Sequence, residues 1–204
     1  MIIWMGQSSF RIAGRVCIDP LNVKKDTLPA EVILISHQHF DHCSPDNISK
    51  LICDKTVILT NRIAAKCLPM FKGKVEIMLP GEKRTVNGID ILAVPAYNKK
   101  EIFHPKDKNG LGFVVSVDGQ RIYHAGDTDL IPEMSTVKCD IALLPISGTY
   151  VMTAEEAAEA AELIKPSLAI PMHYGMTLGT MVDAQKFCML CGQKGIQTKL
   201  LTPA

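Results

Sequence analysis

Three imidazoles and a carboxylate fall within six positions of the run Ser36-His37-Gln38-His39-Phe40-Asp41-His42-Cys43. Imidazole nitrogen and carboxylate oxygen are metal ligands, and so dense a set reads as side chains converging on an ion. A polar turn with incidental histidines is the bland alternative, and it accommodates one His far more easily than three. Two later segments are similar in kind. Ala125-Gly126-Asp127-Thr128-Asp129 and Pro171-Met172-His173-Tyr174-Gly175 each set a ligand type just beyond a strand-like run, beside a Gly that lets backbone approach closely. Each alone is weak, but the three together point to a metal centre assembled at strand ends.

Such ligands need rigid supports. Val32-Ile33-Leu34-Ile35 is continuously apolar, which predicts a central strand covered on both faces and a fixed end just before the histidines. Further strands are predicted at Ile2–Trp4, Arg15–Ile18, Thr56–Leu59, Val75–Met78, Ile89–Val94, Phe113–Val117, Arg121–Tyr123, Ile141–Leu144, Leu168–Ile170 and Gln197–Leu201. Asn87-Gly88 and Asp118-Gly119 predict two tight hairpins. Ser44-Pro45-Asp46 opens a helix to about Ile52, Thr153 with Glu156 opens a second to Ile164 before Pro166, and a third spans about Met181 to Cys191, ending at Gly192.

The 204 residues fit one domain, 1–204, with no linker or repeat. Twenty-two basic against 21 acidic residues, scattered along the chain, remove the footprint of a non-specific nucleic-acid binder. No apolar run is long enough to span a membrane and the first ten residues do not read as a secretory signal. Seven irregularly placed cysteines are no disulfide framework, so a reducing cytoplasm is the expected home. Cys188-Met189-Leu190-Cys191 has CxxC spacing but no second ligand pair, so helix packing is the better reading. Cys43 reads as buried rather than redox-sensitive, and His124 as a packed residue or one supporting a ligand.

The motif His37-Gln38-His39-Phe40-Asp41-His42 resembles the signature of the metallo-β-lactamase superfamily. Ile3-Trp4-Met5-Gly6, Ile18-Asp19-Pro20, Tyr123-His124-Ala125-Gly126-Asp127-Thr128 and Pro171-Met172-His173-Tyr174 follow the family order over nearly the whole chain. The short branch containing ascorbate-6-phosphate lactonase is the most similar. The resemblance implies an α/β fold, a four-layer αβ/βα sandwich, with a metal centre between its two sheets. It implies one ion on His37 and His39, a second on Asp41, His42 and His173, and Asp127 as the bridge. Asp19 is either the acid that orients a ligand His or a simple turn residue. One or two divalent ions are expected, with Zn, Mn and Fe all acceptable to this donor set.

The family's usual third His for the first ion is absent from its slot, which here reads Pro95-Ala96-Tyr97-Asn98, and its usual His near the start is replaced by Gln7. A mononuclear site on Asp41, His42 and His173 therefore stays open. His104, six residues beyond Asn98, is a ligand, a substrate contact or a loop residue without a role. The substrate role is preferred, because a six-residue displacement is demanding for a ligand. Lys99, Lys100, Asn109 and Gly110 mark its segment as a loop. Tyr97, Asn98, His104, Tyr150 and Tyr174 are the candidate substrate contacts, and Asp41 and Asp127 the candidate catalytic carboxylates. The chemistry expected is hydrolysis by metal-bound hydroxide, with Asp41 taking the proton, on a small lactone or phosphodiester substrate. A non-hydrolytic metal-binding or sensory protein and a nucleic-acid-processing phosphodiesterase are the alternatives. No membrane partner is expected.

Overall fold

The strand Val32–Ile35 is buried at every residue, as its lack of alternation requires. The computed structural model describes residues 1–99, 103–176 and 178–204. In it, that strand is β4 of a six-stranded sheet ordered β1 (Ile2–Trp4), β2 (Phe10–Ile12), β3 (Val16–Ile18), β4, β5 (Val57–Thr60) and β6 (Val75–Ile77). β1 to β3 are antiparallel, and β3 to β6 are parallel. The second six-stranded sheet contains β7 (Lys83–Val86), β8 (Ile89–Ala96), β9 (Gly110–Val117), β10 (Gln120–His124), β11 (Ile141–Pro145) and β12 (Leu168–Met172), again neighbours in chain order. It is antiparallel from β7 to β10 and parallel from β10 to β12.

The two faces of β4 show how the layers stack. Val32 and Leu34 enter a core shared with Phe10 and Ile18 of their own sheet and with Ile91, Phe113 and Val115 of the other. Ile33 and Ile35 point the opposite way, onto Ile48 of α1 (Pro45–Ser49), Leu51 and Ala64 of α2 (Arg62–Lys66). On the far side, α3 (Ala154–Ile164) and α4 (Met181–Gln193) cover the second sheet with Ala157, Ala161, Ala184 and Phe187. The result is the expected four-layer αβ/βα sandwich. Among the described residues, no helix is long and apolar enough to cross a membrane.

Both predicted hairpins form as two-residue turns, with Asn87 and Gly88 at φ 51° and 74° and Asp118 and Gly119 at 51° and 75°. The α3 capping box is present, with the Thr153 side chain accepting from the Glu156 N–H and the Glu156 carboxylate from the Thr153 N–H. Other expectations are corrected. The first helix stops at Ser49 rather than Ile52, because the chain turns to bury Leu51 completely. The last runs on to Gln193. Gln197–Leu201 makes only one bridge, Thr198 to Ala169, and of its side chains only Leu201 packs against the core, too little apolar surface to hold a strand. β2 and β7 are additions. Arg11 interrupts the apolar pattern of β2, yet its buried guanidinium donates to the carbonyls of Leu28, Gly14 and Pro29 at 2.6–2.9 Å. β7 is a charged edge strand, the kind that resists pairing with other chains. The loop reading at Lys100 lies outside the described residues.

Candidate metal centre

Four strand ends converge on one point. β4 ends at Ile35, and Ser36 is then pinned from both sheets: its N–H donates to Asp19 Oδ1 at 2.7 Å and its carbonyl accepts from the Leu111 N–H at 3.0 Å. The chain next turns tightly, with the His42 and Cys43 N–H groups both donating to the His39 carbonyl, so His37, His39, Asp41 and His42 project together. After β10, Gly126 takes φ 67°, and a Cβ there would lie 2.5 Å from the Leu111 carbonyl oxygen, so only glycine lets Asp127 in. His124 supports the same turn, accepting from the Gly126 N–H at 3.1 Å while its other nitrogen donates to the Ser8 carbonyl at 2.8 Å. After β12, His173 sits at φ 61°, its N–H bonded to the Gln7 carbonyl.

The fourth contribution comes from His104, which the sequence left open as a ligand, a substrate contact or a loop residue. Just beyond β8, the Asn98 N–H donates to the His104 carbonyl at 2.8 Å. His104 is thereby brought back beside the vacant slot. Its Nε2 lies 3.2 Å from His37 Nε2 and 3.1 Å from His39 Nδ1, and those two are 2.9 Å apart. His104, preferred from sequence as a substrate contact, stands with His37 and His39 in a trio of imidazoles and also lines the cavity beside them.

Asp127 Oδ2 lies between this trio and a second group. It is 3.9 and 3.7 Å from His37 and His104 Nε2, and 3.3 Å from both His42 and His173 Nε2. Asp41 Oδ2 is 3.4 Å from His42 Nε2. His37, His39 and His104, then His37, His42 and Asp127, then Asp41, His42 and His173 each form a set able to hold an ion. Donors about 2.1 Å from one tetrahedral ion stand about 3.4 Å from each other, the spacing seen here.

The far nitrogens say which atoms face inward. His42 Nδ1 lies 2.8 Å from Asp19 Oδ2, and His37 Nδ1 lies 2.9 Å from the Ser36 hydroxyl, which itself donates to Asp19. His173 Nδ1 bonds the Ser147 hydroxyl at 3.0 Å. Asn98 spends its amide N–H groups on Asp129 Oδ1 and the Tyr150 carbonyl, so its Oδ1 must accept from His104 Nδ1, 2.8 Å away. With Nδ1 engaged in each, the Nε2 atoms are the ones turned inward, toward one another and toward Asp127, as a bound cation requires. His42 Nε2 and Asp127 Oδ1 are buried without a hydrogen-bond partner. The residues fit the ion the motif implies.

Electrostatics agree. Burial pushes the imidazoles of His37, His39 and His104 below their ordinary value near 6.5, keeping them neutral as ligands must be. Burial works against the Asp127 carboxylate, yet His42 and His173 outweigh it and hold that group well below 3.8. His42, also opposed by burial, is raised well above 6.5 by Asp127 and Asp19.

Beside the donors opens a cavity of about 260 Å³, walled by Gln7, Phe40, Phe103, Tyr150 and Leu178 as well as His39, Asp41, His104, Asp127 and His173. Larger hollows on the back of the second sheet and beside α3 hold none of the grouped donors. Of the expected substrate contacts, Tyr150 and His104 line the cavity, but three do not. Tyr97 turns away to bond Glu133 at 3.0 Å, with the Lys106 ammonium over its ring. Tyr174 is buried and stacked on Trp4 at 4.9 Å. Asn98 is committed to positioning His104. Gln7 lies in the wall and donates from Nε2 to Asp41 Oδ2 at 3.3 Å. Ser36 and Ser147 were not singled out from sequence, although Ser36 directly precedes the signature. Phe40, Phe103 and Leu178 were likewise missed as wall residues.

A family model described as a beta-lactamase superfamily domain matches residues 1–173. The chain belongs to the metallo-β-lactamase superfamily. A UPF0173 metal-dependent hydrolase of Thermococcus onnurineus is 34% identical over 206 residues, covering 94% of this chain and 92% of its own. The crystal structure of a candidate metal-dependent hydrolase from Parabacteroides distasonis is 32% identical, with a TM-score of 0.86 over 98% of this chain and 93% of that one. Igni18, a metallo hydrolase of Ignicoccus hospitalis, is 22% identical and shares the superfamily's fold, with a TM-score of 0.80 over 100% and 95% of the two chains.

Proposed function

We propose that this chain, a metal-dependent hydrolase, uses two divalent ions to cleave a small lactone or phosphodiester. The observation that carries the reading is the grouping of inward-facing donors on either side of Asp127. His37, His39 and His104 would hold one ion, Asp41, His42 and His173 the other, with Asp127 Oδ2 shared between them. Imidazole and carboxylate suit Zn, Mn or Fe alike. Bound ions would lower the pKa of water to about 7 and stabilise negative charge developing on a carbonyl or phosphoryl oxygen.

The chain's own residues supply the remainder. Asp19, Ser36, Asn98 and Ser147 hold the imidazoles in one tautomer and orientation, so that little reorganisation is needed during turnover. Asp41, at the cavity wall and steadied by Gln7, accepts a proton from the attacking water. Tyr150 offers its phenol to substrate oxygen from the opposite wall.

Elemental analysis of protein purified without added metal, followed by assay of lactones and phosphodiesters before and after chelation, tests the reading. Two ions per chain and turnover that chelation removes and metal restores are expected. Undiminished turnover after complete chelation would overturn it.

A further inference from the structure

The wall facing the donors is apolar. Phe40, Phe103 and Tyr150 keep 79%, 44% and 37% of their surface exposed. The rings of Phe103 and Tyr150 lie 4.1 Å apart, tilted by 48°, and Leu178 extends the same wall. Phe40 stands in the signature itself, between His39 and Asp41, so the tight turn that aims those donors also holds its ring at their edge. Single exposed aromatics are ordinary, whereas three ringing one cavity beside a donor cluster mark a surface for an apolar ligand group. Among the described residues of the wall, none is Lys or Arg, and Gln7 spends its Nε2 on Asp41, leaving free only Oε1, an acceptor that offers an anion nothing. A phosphodiester brings a full negative charge and strongly hydrated oxygens, which gain nothing from Phe40, Phe103 or Leu178.

We propose that the substrate is an uncharged lactone or ester whose apolar tail seats on Phe40, Phe103, Tyr150 and Leu178. This rests on the hydrolase reading above and selects the acyl substrate over the phosphodiester. The cavity, at about 260 Å³, has room for on the order of nine water-sized groups, enough for a small ring with a short tail. In the reaction a water oxygen bonds to the acyl carbon and the bond from that carbon to the alcohol oxygen breaks. One water proton passes to the alcohol oxygen and the other leaves with the acid, so a lactone becomes a hydroxy acid with nothing oxidised or reduced.

The test uses the full chain loaded with Mn or Zn. Its probes are γ-lactones with methyl, butyl and octyl tails, bis(para-nitrophenyl) phosphate, and slowly hydrolysed γ-lactams with the same tails for calorimetry. Lactone kcat/KM should rise severalfold per methylene until the tail outgrows the wall, and lactam binding should tighten in parallel. Phe40→Ala and Phe103→Ala should each flatten both series, raising KM for the butyl lactone about tenfold, with metal content unchanged. Lactone turnover and lactam binding indifferent to the tail, or faster turnover of the phosphodiester, would overturn the proposal while the hydrolase reading stands. If no probe is turned over, the lactone-or-phosphodiester reading above fails, and the lactam series alone still decides whether the wall binds apolar tails.

Discussion

The signature loop and the Asn98–His104 segment bring their candidate ligands to the site by opposite means. The loop after β4 packs four donor residues into six consecutive positions and aims them with local hydrogen bonds to His39 and one distant carboxylate, Asp19. The second segment delivers one imidazole from a sequence position unlike the family's, and steers it by long-range contacts: Asn98 holds His104, while Asp129 and the Tyr150 carbonyl hold Asn98. On the proposed reading, an imidazole keeps the spatial place of the family's ligand while leaving its usual place in sequence, held by the bond from the Asn98 N–H to the His104 carbonyl.

The comparison is broken most severely at the shared residue. Asp127→Asn weakens both sites, and elemental analysis should find little metal and no turnover. His39→Ala and His104→Ala should come next and resemble each other, each releasing the ion of the first group. If His104→Ala kept full metal content, the two regions would not be equivalent and His104 would return to the role of a substrate contact. Asn98→Ala sharpens the contrast, since it removes only the group that orients His104, and competition with a chelator should show first-site affinity weakened about 10–100-fold. Asn98→Asp, which keeps an acceptor oxygen, should recover much of that loss.

pH separates the groups more gently. In metal-free protein the raised His42 stabilises the fold below the unfolded imidazole value near 6.5, and that contribution is lost as pH rises through its higher folded value. His37, His39 and His104, lowered by burial, act in reverse and disfavour the fold as pH falls below 6.5. Tm of the chelated protein should therefore decline on both sides of that region, and metal should flatten the alkaline limb because ligation keeps His42 neutral. The smallest effects belong to residues turned away from the cavity. Tyr174→Phe removes a buried Oη that has no partner, and Tyr97→Phe a bond to Glu133, so kcat/KM should stay near wild type and stability change by about 1 kcal/mol or less.

What was legible in sequence followed the same divide. β4, the hairpins at Asn87-Gly88 and Asp118-Gly119, and the α3 capping box are written in adjacent residues, and so is the signature. β2 was hidden because Arg11 looks like a surface residue until the nearby Gly14 carbonyl and the Leu28 and Pro29 carbonyls of a distant loop surround it. The short helix α2 begins at Asn61, whose side chain caps the Ile63 and Ala64 N–H groups, a signal present in sequence but brief. His104 could be suspected from composition, yet its return beside Asn98 is a tertiary fact. Tyr97 and Tyr174 lie near ligand strand ends in sequence, but both stand just past β8 and β12, where tertiary contacts with Glu133 and Trp4 take their rings instead.

Metal stoichiometry in wild type and His104→Ala, measured on the same preparation and confirmed folded by circular dichroism, tests the central claim most directly. Two ions per wild-type chain, falling to one in the variant with Asp41, His42 and His173 still occupied, is the predicted result. Equal stoichiometry and equal affinity in the two proteins would contradict it.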